Sequence, residues 1–358
     1  MNKFLKNNFK GKKVLITGHT GFKGTWLTLW LNKLGAKIVG ISKDWHGYPS
    51  HFKDLKINGN IKSYFFDLKE FNKLQNVISR FKPDYVFHLA GQSMVKKSYI
   101  NPYSTFLTNS FGSLNLLEAL RKMNKRCYLV MITSDKVYKN LEIKRGYNEK
   151  DALGGNDPYS SSKATAEIII SAYSKLMKNS KVRLGIARAG NVIGGGDWNQ
   201  NRLIPDCMKA WGKGKTVLIR NPNSTRPWQY VLDVIRGYLI LSINLKIKRN
   251  LNGTAFNFGP SHKENFSVLD IVKLSNKNWK NIKWKIIRNK DKFIHESKLL
   301  QLNSSKAKKY LNWECKLRIS QSLKQTINWY RNYFKNKKKD VRRISLQTLI
   351  DYQNLWKN

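Results

Sequence analysis

Thr17-Gly18-His19-Thr20-Gly21-Phe22-Lys23-Gly24 directly follows the apolar run Val14-Leu15-Ile16. A short buried strand that runs into glycines at this spacing, and then into an apolar helix, leaves the backbone few arrangements. The first glycine allows a tight turn, the second lets the main chain approach a phosphate, and the third lets the helix lie close on the sheet. An anion then sits at the positive end of the helix. Glycine spacing alone is a weak signal. The next segments of the chain strengthen it: an apolar helix from Thr25 to Leu34, a stop at Gly35 and a second strand from Lys37 to Ile41. Strand, helix and strand in that order form the nucleotide-binding start of a doubly wound sheet.

The alternation continues. Tyr64 to Phe66 reads as a third strand, Phe71 to Phe81 as a helix and Tyr85 to Leu89 as a fourth strand. Asn101 to Met123 has the apolar spacing of one long helix, Tyr128 to Ile132 is a fifth strand, Tyr159 to Met177 a helix and Val182 to Ala187 a sixth strand. The fold class expected is α/β, a doubly wound parallel Rossmann sheet with a smaller mixed α/β lobe towards the C-terminus. Residues 1–190 form the dinucleotide-binding domain, 231–260 return to it, and 191–358 are mostly the smaller lobe above the carboxyl edge of the sheet. The run Lys335-Asn336-Lys337-Lys338-Lys339 reads as solvated surface, and no internal repeat is present.

Across 358 residues, 67 Lys and Arg face 22 Asp and Glu, a net charge of +45. Such a charge suits a polyanion, but dedicated nucleic-acid binders cluster their basic residues. Here the lysines are spread along the chain, so a nucleic-acid partner is not expected, and the positive field favours a small anionic substrate. No apolar run reaches 18 residues, and Met1 to Lys13 is polar and basic, unlike a secretory signal. Cys127, Cys207 and Cys315 lie far apart, without metal-ligand spacing or the pattern of a disulfide framework. The expectation is a cytoplasmic protein with no metal and no membrane span.

Tyr159 and Lys163 stand one turn apart on the helix opened by Asp157-Pro158. A nearby ammonium favours the phenolate and lowers the tyrosine pKa, which gives a base towards a carbinol hydroxyl. Tyr-x-x-x-Lys arises by chance in lysine-rich chains, so the hydroxyl of Ser134 at the end of the fifth strand matters. It completes a Ser/Tyr/Lys trio at the carboxyl edge. Asp135 and Lys136 come next, as an acid and a base that could remove a proton and expel water, or as a turn cap and a surface lysine. Asp67 stands where it could accept from an adenine amino group or cap the helix at Phe71. The tip of the second strand is Ser42, followed by Lys43 and Asp44, which leaves NAD and NADP undecided by the motif.

Taken together, these residues resemble the extended short-chain dehydrogenase/reductases, the NAD-dependent epimerase/dehydratase family. Within it they are similar to the CDP-glucose 4,6-dehydratase subgroup. The resemblance spans about Asn8 to Trp329. Its most specific pieces are the segment Thr17 to Gly24, Thr133-Ser134-Asp135-Lys136, the segment Arg188 to Trp198, and Arg220-Asn221-Pro222 with Arg226-Pro227-Trp228-Gln229. Lys136 separates the subgroup from dTDP-glucose dehydratases, which carry Glu there.

The resemblance implies NAD as cofactor and a hydro-lyase reaction. Tyr159, helped by Lys163 and Ser134, takes the proton of the glucose C4 hydroxyl while the C4 hydride passes to NAD. Lys136 then removes the C5 proton, Asp135 protonates the departing C6 hydroxyl, and the hydride returns to C6. By matching position, the cofactor meets Gly18, Thr20, Gly21, Phe22, Gly24, Ser42, Asp67, Leu68, Leu89, Gln92 and Asn109, with Tyr159 and Lys163. The nucleotide sugar meets Gln92, Asn191, Arg202, Leu203, Arg220, Arg226 and Gln229. A homodimer is implied, built as a four-helix bundle from Asn101 to Met123 and Tyr159 to Met177. Three positions depart from the subgroup: Gly91 where Ala is usual, Lys96 where Arg is usual, and Tyr230 where His is usual, near the expected nucleotide. The rival readings are a 4,6-dehydratase or 4-epimerase for another nucleotide sugar, and a basic nucleic-acid-binding protein on a Rossmann scaffold.

Overall fold

Val14, Leu15 and Ile16 are wholly buried on β1 (Lys13–Thr17), in the middle of the sheet. A strand covered on both faces reads as an unbroken apolar run, as this one does. The structure is a computed structural model and describes residues 2–44, 49–57, 61–261, 264, 266–287, 299–335 and 340–356; residues 336–339 of the basic run lie outside them. Six strands join β1: β2 (Lys37–Ser42), β3 (Ile61–Phe65), β4 (Tyr85–His88), β5 (Cys127–Ile132), β6 (Val182–Ala189) and β7 (Thr254–Phe258). Their order is β7-β6-β5-β4-β1-β2-β3, and every pairing is parallel. Strand order reverses between β1 and β4, so the ligand crevice opens at their carboxyl ends.

The helix after β1 is Phe22–Lys33. A Cβ on Gly24 would stand 2.0 Å from the Gly18 carbonyl oxygen, so only glycine permits this approach. The helix expected over Asn101 to Met123 is present, with a local change. Asn101 caps it by accepting from Ser104 N at 3.0 Å, Pro102–Phe106 is α-helical, Leu107–Phe111 opens into a π turn, and Gly112–Arg121 resumes the α-helix. The helix Pro158–Leu176 begins at Asp157, whose carboxylate accepts from Ser160 N at 2.9 Å.

Apolar residues are buried on both faces of the sheet, Val14 and Ile16 in one cluster and Leu15 in another. Helix Val231–Ile247 lies against β5 and β6, and β7 extends the sheet beyond β6. Three two-stranded ribbons lie outside the main sheet and pair Val192–Ile193 with Gln229–Tyr230, Thr225–Arg226 with Phe266–Ser267, and Val217–Ile219 with Trp284–Ile286. The C-terminal helices are Ile319–Lys335 and Val341–Asn354. They bridge the two regions: the Trp30 and Tyr352 rings meet at 5.8 Å and His51 Nε2 bonds Ser345 Oγ at 2.9 Å, while Arg331 donates to Asn278 O at 3.1 Å and the Phe334 ring lies 6.3 Å from that of Trp279. An N-terminal helix, Asn2–Phe9, was not expected from its polar sequence; it buries Leu5 and Phe9, four residues apart. Among the described residues, no helix is long and apolar enough to cross a membrane.

One buried ion pair crosses this core. Arg188 on β6 donates to Glu167 on helix Pro158–Leu176 at 2.5 Å and to the Tyr138 hydroxyl at 2.7 Å. Glu167 also accepts from Thr133 Oγ1 at 2.6 Å. Buried charges persist only when paired and fully hydrogen-bonded, and this network ties β5, β6 and the helix together beside Ser134.

Candidate active site

Gly18 takes φ +74°, and a Cβ there would come within 2.8 Å of the Leu89 and Ala90 backbone. The loop therefore presses on the carboxyl end of β4. Gly21 N donates to Gly18 O at 3.1 Å, and Gly21 caps the next helix with no side-chain hydrogen bond. The first-turn amides of that helix, from Phe22 onward, lack intrahelical acceptors and point out of the loop. His19 turns inward, with Nε2 3.0 Å from Ser63 Oγ and Nδ1 2.9 Å from Ser42 Oγ. Its ring fills the space a Cβ of Gly40 would need. Ser42 also accepts from Thr20 N at 3.3 Å, so its hydroxyl braces the loop from beneath. Thr20 Oγ1 donates to the Asp44 carbonyl at 2.8 Å.

Asp67 follows β3 and accepts from Lys69 N at 3.0 Å, with the Lys43 and Lys69 ammoniums 3.6 and 3.7 Å from Oδ2. The helix Phe71–Phe81 starts at Glu70, so Asp67 is not its cap. Leu68 is buried, Leu89 half-buried just past β4. A glycine cradle that no side chain could enter, an uncapped helix end and a carboxylate beyond β3 fit an adenine dinucleotide.

Ser134 ends β5 and caps the short 3-10 turn Asp135–Val137, accepting from Lys136 N at 3.2 Å and donating to Asp135 Oδ1 at 2.9 Å. It also hydrogen-bonds the Tyr159 phenol. Burial pushes that phenol above its ordinary pKa, and the bond to Ser134 opposes the rise. The expected lowering by Lys163 is therefore not seen: burial dominates, and the cation that opposes it is Arg202. Burial also pushes the Lys163 ammonium down to about 8, against the pull of Glu167.

Lys163 Nζ and Asn109 Oδ1 each lie 2.9 Å from where a Cβ of Gly91 would be, so the glycine at this departure point leaves them room. Asn109, carried on the π turn, accepts from Gln92 N at 2.8 Å and donates to Gln92 O at 3.1 Å and Ser162 Oγ at 2.9 Å. It joins the loop after β4 to the helix that carries Tyr159.

Asp135 is buried, and its Oδ2 has no hydrogen-bond partner. Burial raises its carboxyl above the ordinary range, opposed by Ser134, Lys136 and Arg226 in that order. Burial of this kind favours the neutral form of a carboxyl over its charged form.

These groups face a cavity of about 420 Å³, a size that suits a small-molecule ligand. Ser134, Asp135, Lys136 and Tyr159 line it, and so do Asn191, Arg202, Leu203, Arg220 and Arg226. Arg202 donates to Asp197 Oδ2 at 3.1 Å and to Ser93 Oγ at 2.9 Å, which ties two loops across the site. Lys96 lines the cavity too.

Three expected neighbours of the nucleotide sugar lie elsewhere. Gln229 is buried, and its amide donates to Phe258 O at 2.7 Å. Tyr230 beside it is buried in the core, its ring 6.1 Å from that of Tyr352. Both belong to a two-residue strand paired with Val192–Ile193, where both side chains are enclosed. Tyr230 therefore does not form a wall of the nucleotide site. Gln92 spends its side chain on Met94 O at 3.0 Å and Thr105 Oγ1 at 3.2 Å, so it shapes the loop next to the cavity and does not line it. Lys23 and Asp197 line the cavity although their sequence context assigns them no role there; for Lys23 the available signal was its place inside the glycine motif.

The family model described as GDP-mannose 4,6 dehydratase matches residues 15–326. The chain is 38% identical over 356 residues to CDP-glucose 4,6-dehydratase of Salmonella typhimurium, covering 98% of each. Among solved structures, an epimerase of Methanothermobacter thermautotrophicus superposes with a TM-score of 0.82 at 24% identity, over 96% of this chain and 98% of that one. The dTDP-glucose 4,6-dehydratase of Bacillus anthracis, solved in complex with NAD, superposes with a TM-score of 0.75 at 22% identity, over 90% and 97%. At those identities the two structures establish the shared fold.

Proposed function

Because the chain belongs to the GDP-mannose 4,6-dehydratase family, we propose that it is an NAD-dependent hydro-lyase that converts CDP-glucose to CDP-4-keto-6-deoxyglucose and water. The substrate follows from the 38% identical relative. NAD, when bound, accepts hydrogen from C4 and later returns it to C6, so the reaction has no net redox change. The loop Gly18 to Gly24 and the helix end behind it would hold its diphosphate, with Asp67 towards the adenine and Asn109 and Lys163 beside the catalytic helix.

The chain's own groups divide the proton work. Tyr159, held by Ser134, takes the proton of the C4 hydroxyl as C4 becomes a ketone, and Lys163 stabilises the phenolate form. The ketone acidifies C5–H, and Lys136 takes that proton. Asp135, holding its own proton, gives it to the C6 hydroxyl, which leaves as water. Arg202, Arg220 and Arg226 supply planar forks suited to a diphosphate.

The observation that carries this reading is the buried Asp135 carboxyl, with one unpartnered oxygen, in the same cavity as Tyr159 and Lys136. A 4-epimerase has no use for that acid. Incubation with CDP-glucose and NAD should generate the alkali-absorbing chromophore of a 4-keto-6-deoxysugar, and dTDP- or UDP-glucose should not. Formation of the 4-epimer without that chromophore would overturn the proposal.

A homodimer accompanies this reading. Ile100 and Tyr103 are 78% and 75% exposed, and Phe111, Ile168 and Leu176 are exposed as well. They stand on the helices between Val95 and Arg121 and on Pro158–Leu176, an apolar face of the kind a partner covers. Light scattering at micromolar protein should give twice the chain mass of 41.7 kDa; that mass alone would refute the dimer. The three free cysteines, Cys127, Cys207 and Cys315, support a reducing, cytoplasmic setting.

A further inference from the structure

Lys23 occupies the first turn of helix Phe22–Lys33, where the helix dipole opposes a cation, and its side chain lines the cavity. Among the described residues its one direct polar partner is the Tyr238 hydroxyl, 3.3 Å from Nζ, with the Tyr238 ring centroid at 5.7 Å. No carboxylate among those residues pairs with it at contact distance. The charged groups that bear on it are Lys163 from the catalytic helix, Arg202 from the loop before Leu203–Trp211, Asp135 from the end of β5 and Asp197 from the glycine loop after β6. Asp135 already accepts from the Ser134 hydroxyl, and Asp197 is engaged by Arg202. Lys23, Lys96, Lys136, Arg202, Arg220 and Arg226 line the cavity against Asp135, Asp197 and Asp206, an excess of basic side chains. A half-buried lysine set against a helix dipole, with Lys163 and Arg202 the cations that bear on it, is placed to take an anionic ligand.

We propose that Lys23 is a ligand-binding residue that contacts a diphosphate in the assembled site. The inference rests on the reading above, which brings two diphosphates here, one in the dinucleotide cofactor and one in the nucleotide sugar.

Burial, with Lys163 and Arg202 as the next causes, pushes the Lys23 ammonium down to about 7. At pH 8 the side chain is then mostly neutral in the free protein, and a diphosphate beside it restores the charge. Binding takes up a proton, and affinity falls as pH rises from about 7 to 9.

The test is isothermal titration of the purified full chain at pH 8, in two buffers of different ionisation enthalpy. The probes are CDP and ADP-ribose, which carry the two diphosphates, with CMP and AMP as controls that lack one. Lys23→Met keeps the length and removes the charge. It should weaken CDP or ADP-ribose at least tenfold and reduce proton uptake, leaving CMP and AMP within about twofold. The probe that weakens identifies which diphosphate Lys23 meets. Lys23→Arg, charged at every pH used, should keep the affinity and flatten its decline between pH 7 and 9. Equal binding of CDP and ADP-ribose by wild type and Lys23→Met, or an equal loss on CMP and AMP, overturns the inference. Failure of wild type to bind any of the four would instead overturn the function proposed above.

Discussion

Asp135→Asn will reduce formation of the 4-keto-6-deoxysugar by about 10²–10⁴-fold, the usual worth of a general acid. Asparagine keeps the shape and can still accept from the Ser134 hydroxyl, but it has no acidic proton for the C6 oxygen. Steps that precede water loss should survive. In D2O, CDP-glucose recovered from the variant should carry deuterium at C5, because C4 oxidation and C5 deprotonation still run. Full turnover by Asp135→Asn would reduce Asp135 to a turn residue. The variant should also melt at or above the wild-type temperature. The Asp135 carboxyl is raised by burial in the folded chain, so the fold binds the proton more tightly than the unfolded chain does. Its contribution to stability is present below the ordinary carboxyl pKa and declines as pH rises through the raised one. Asparagine removes that decline, so the advantage of the variant grows with pH.

Tyr159→Phe should lose about 10³-fold or more in turnover and, unlike Asp135→Asn, should also stop deuterium entry at C5. C5–H is acidic only once C4 is a ketone, so removal of the first base silences every later step. The ring is buried and the phenol's partner is the neutral Ser134 hydroxyl, so phenylalanine should leave the melting temperature within a few degrees. The wild-type pH profile has a matching sign. Lys163 is charged below about 8 in the free protein and loses its proton above it. Accordingly kcat/KM should fall above about pH 8, and a profile flat to pH 10 would remove Lys163 from the ionisation that governs the rate. The exchange experiment separates the two variants: exchange without turnover in one, neither in the other.

Local signals were enough for β1, the glycine loop and β2, because apolar runs and glycines act over a few residues. Ser134, Asp135 and Lys136 were legible for the same reason, since they follow the apolar run of β5 directly. The π turn at Leu107–Phe111 was not: one extra residue in the helical ladder leaves the apolar positions Leu107, Phe111, Leu114 and Leu117 looking regular. Gln229 and Tyr230 were placed at the nucleotide by their motif, but a two-residue strand takes its orientation from its partner, 37 positions earlier by the pairing of Gln229 with Val192. The Tyr159 phenol shows a different limit. Spacing identifies the cation beside it, whereas its pKa in the free protein is set by how much water the whole fold removes. Arg188 and Glu167 stand 21 positions apart, and no periodicity joins them.

The helix Val341–Asn354 has a consequence for how the protein is made. It covers Trp30 through Tyr352 and holds His51 through Ser345, a bond that spans 294 positions. The first βαβ unit emerges from the ribosome well before one wall of its core, which is synthesised about 294 positions later. At about 5–20 residues per second, Trp30 waits tens of seconds in the nascent chain for Tyr352. Over that interval a large apolar surface belongs to an unfinished molecule, and a holding chaperone has its natural target there.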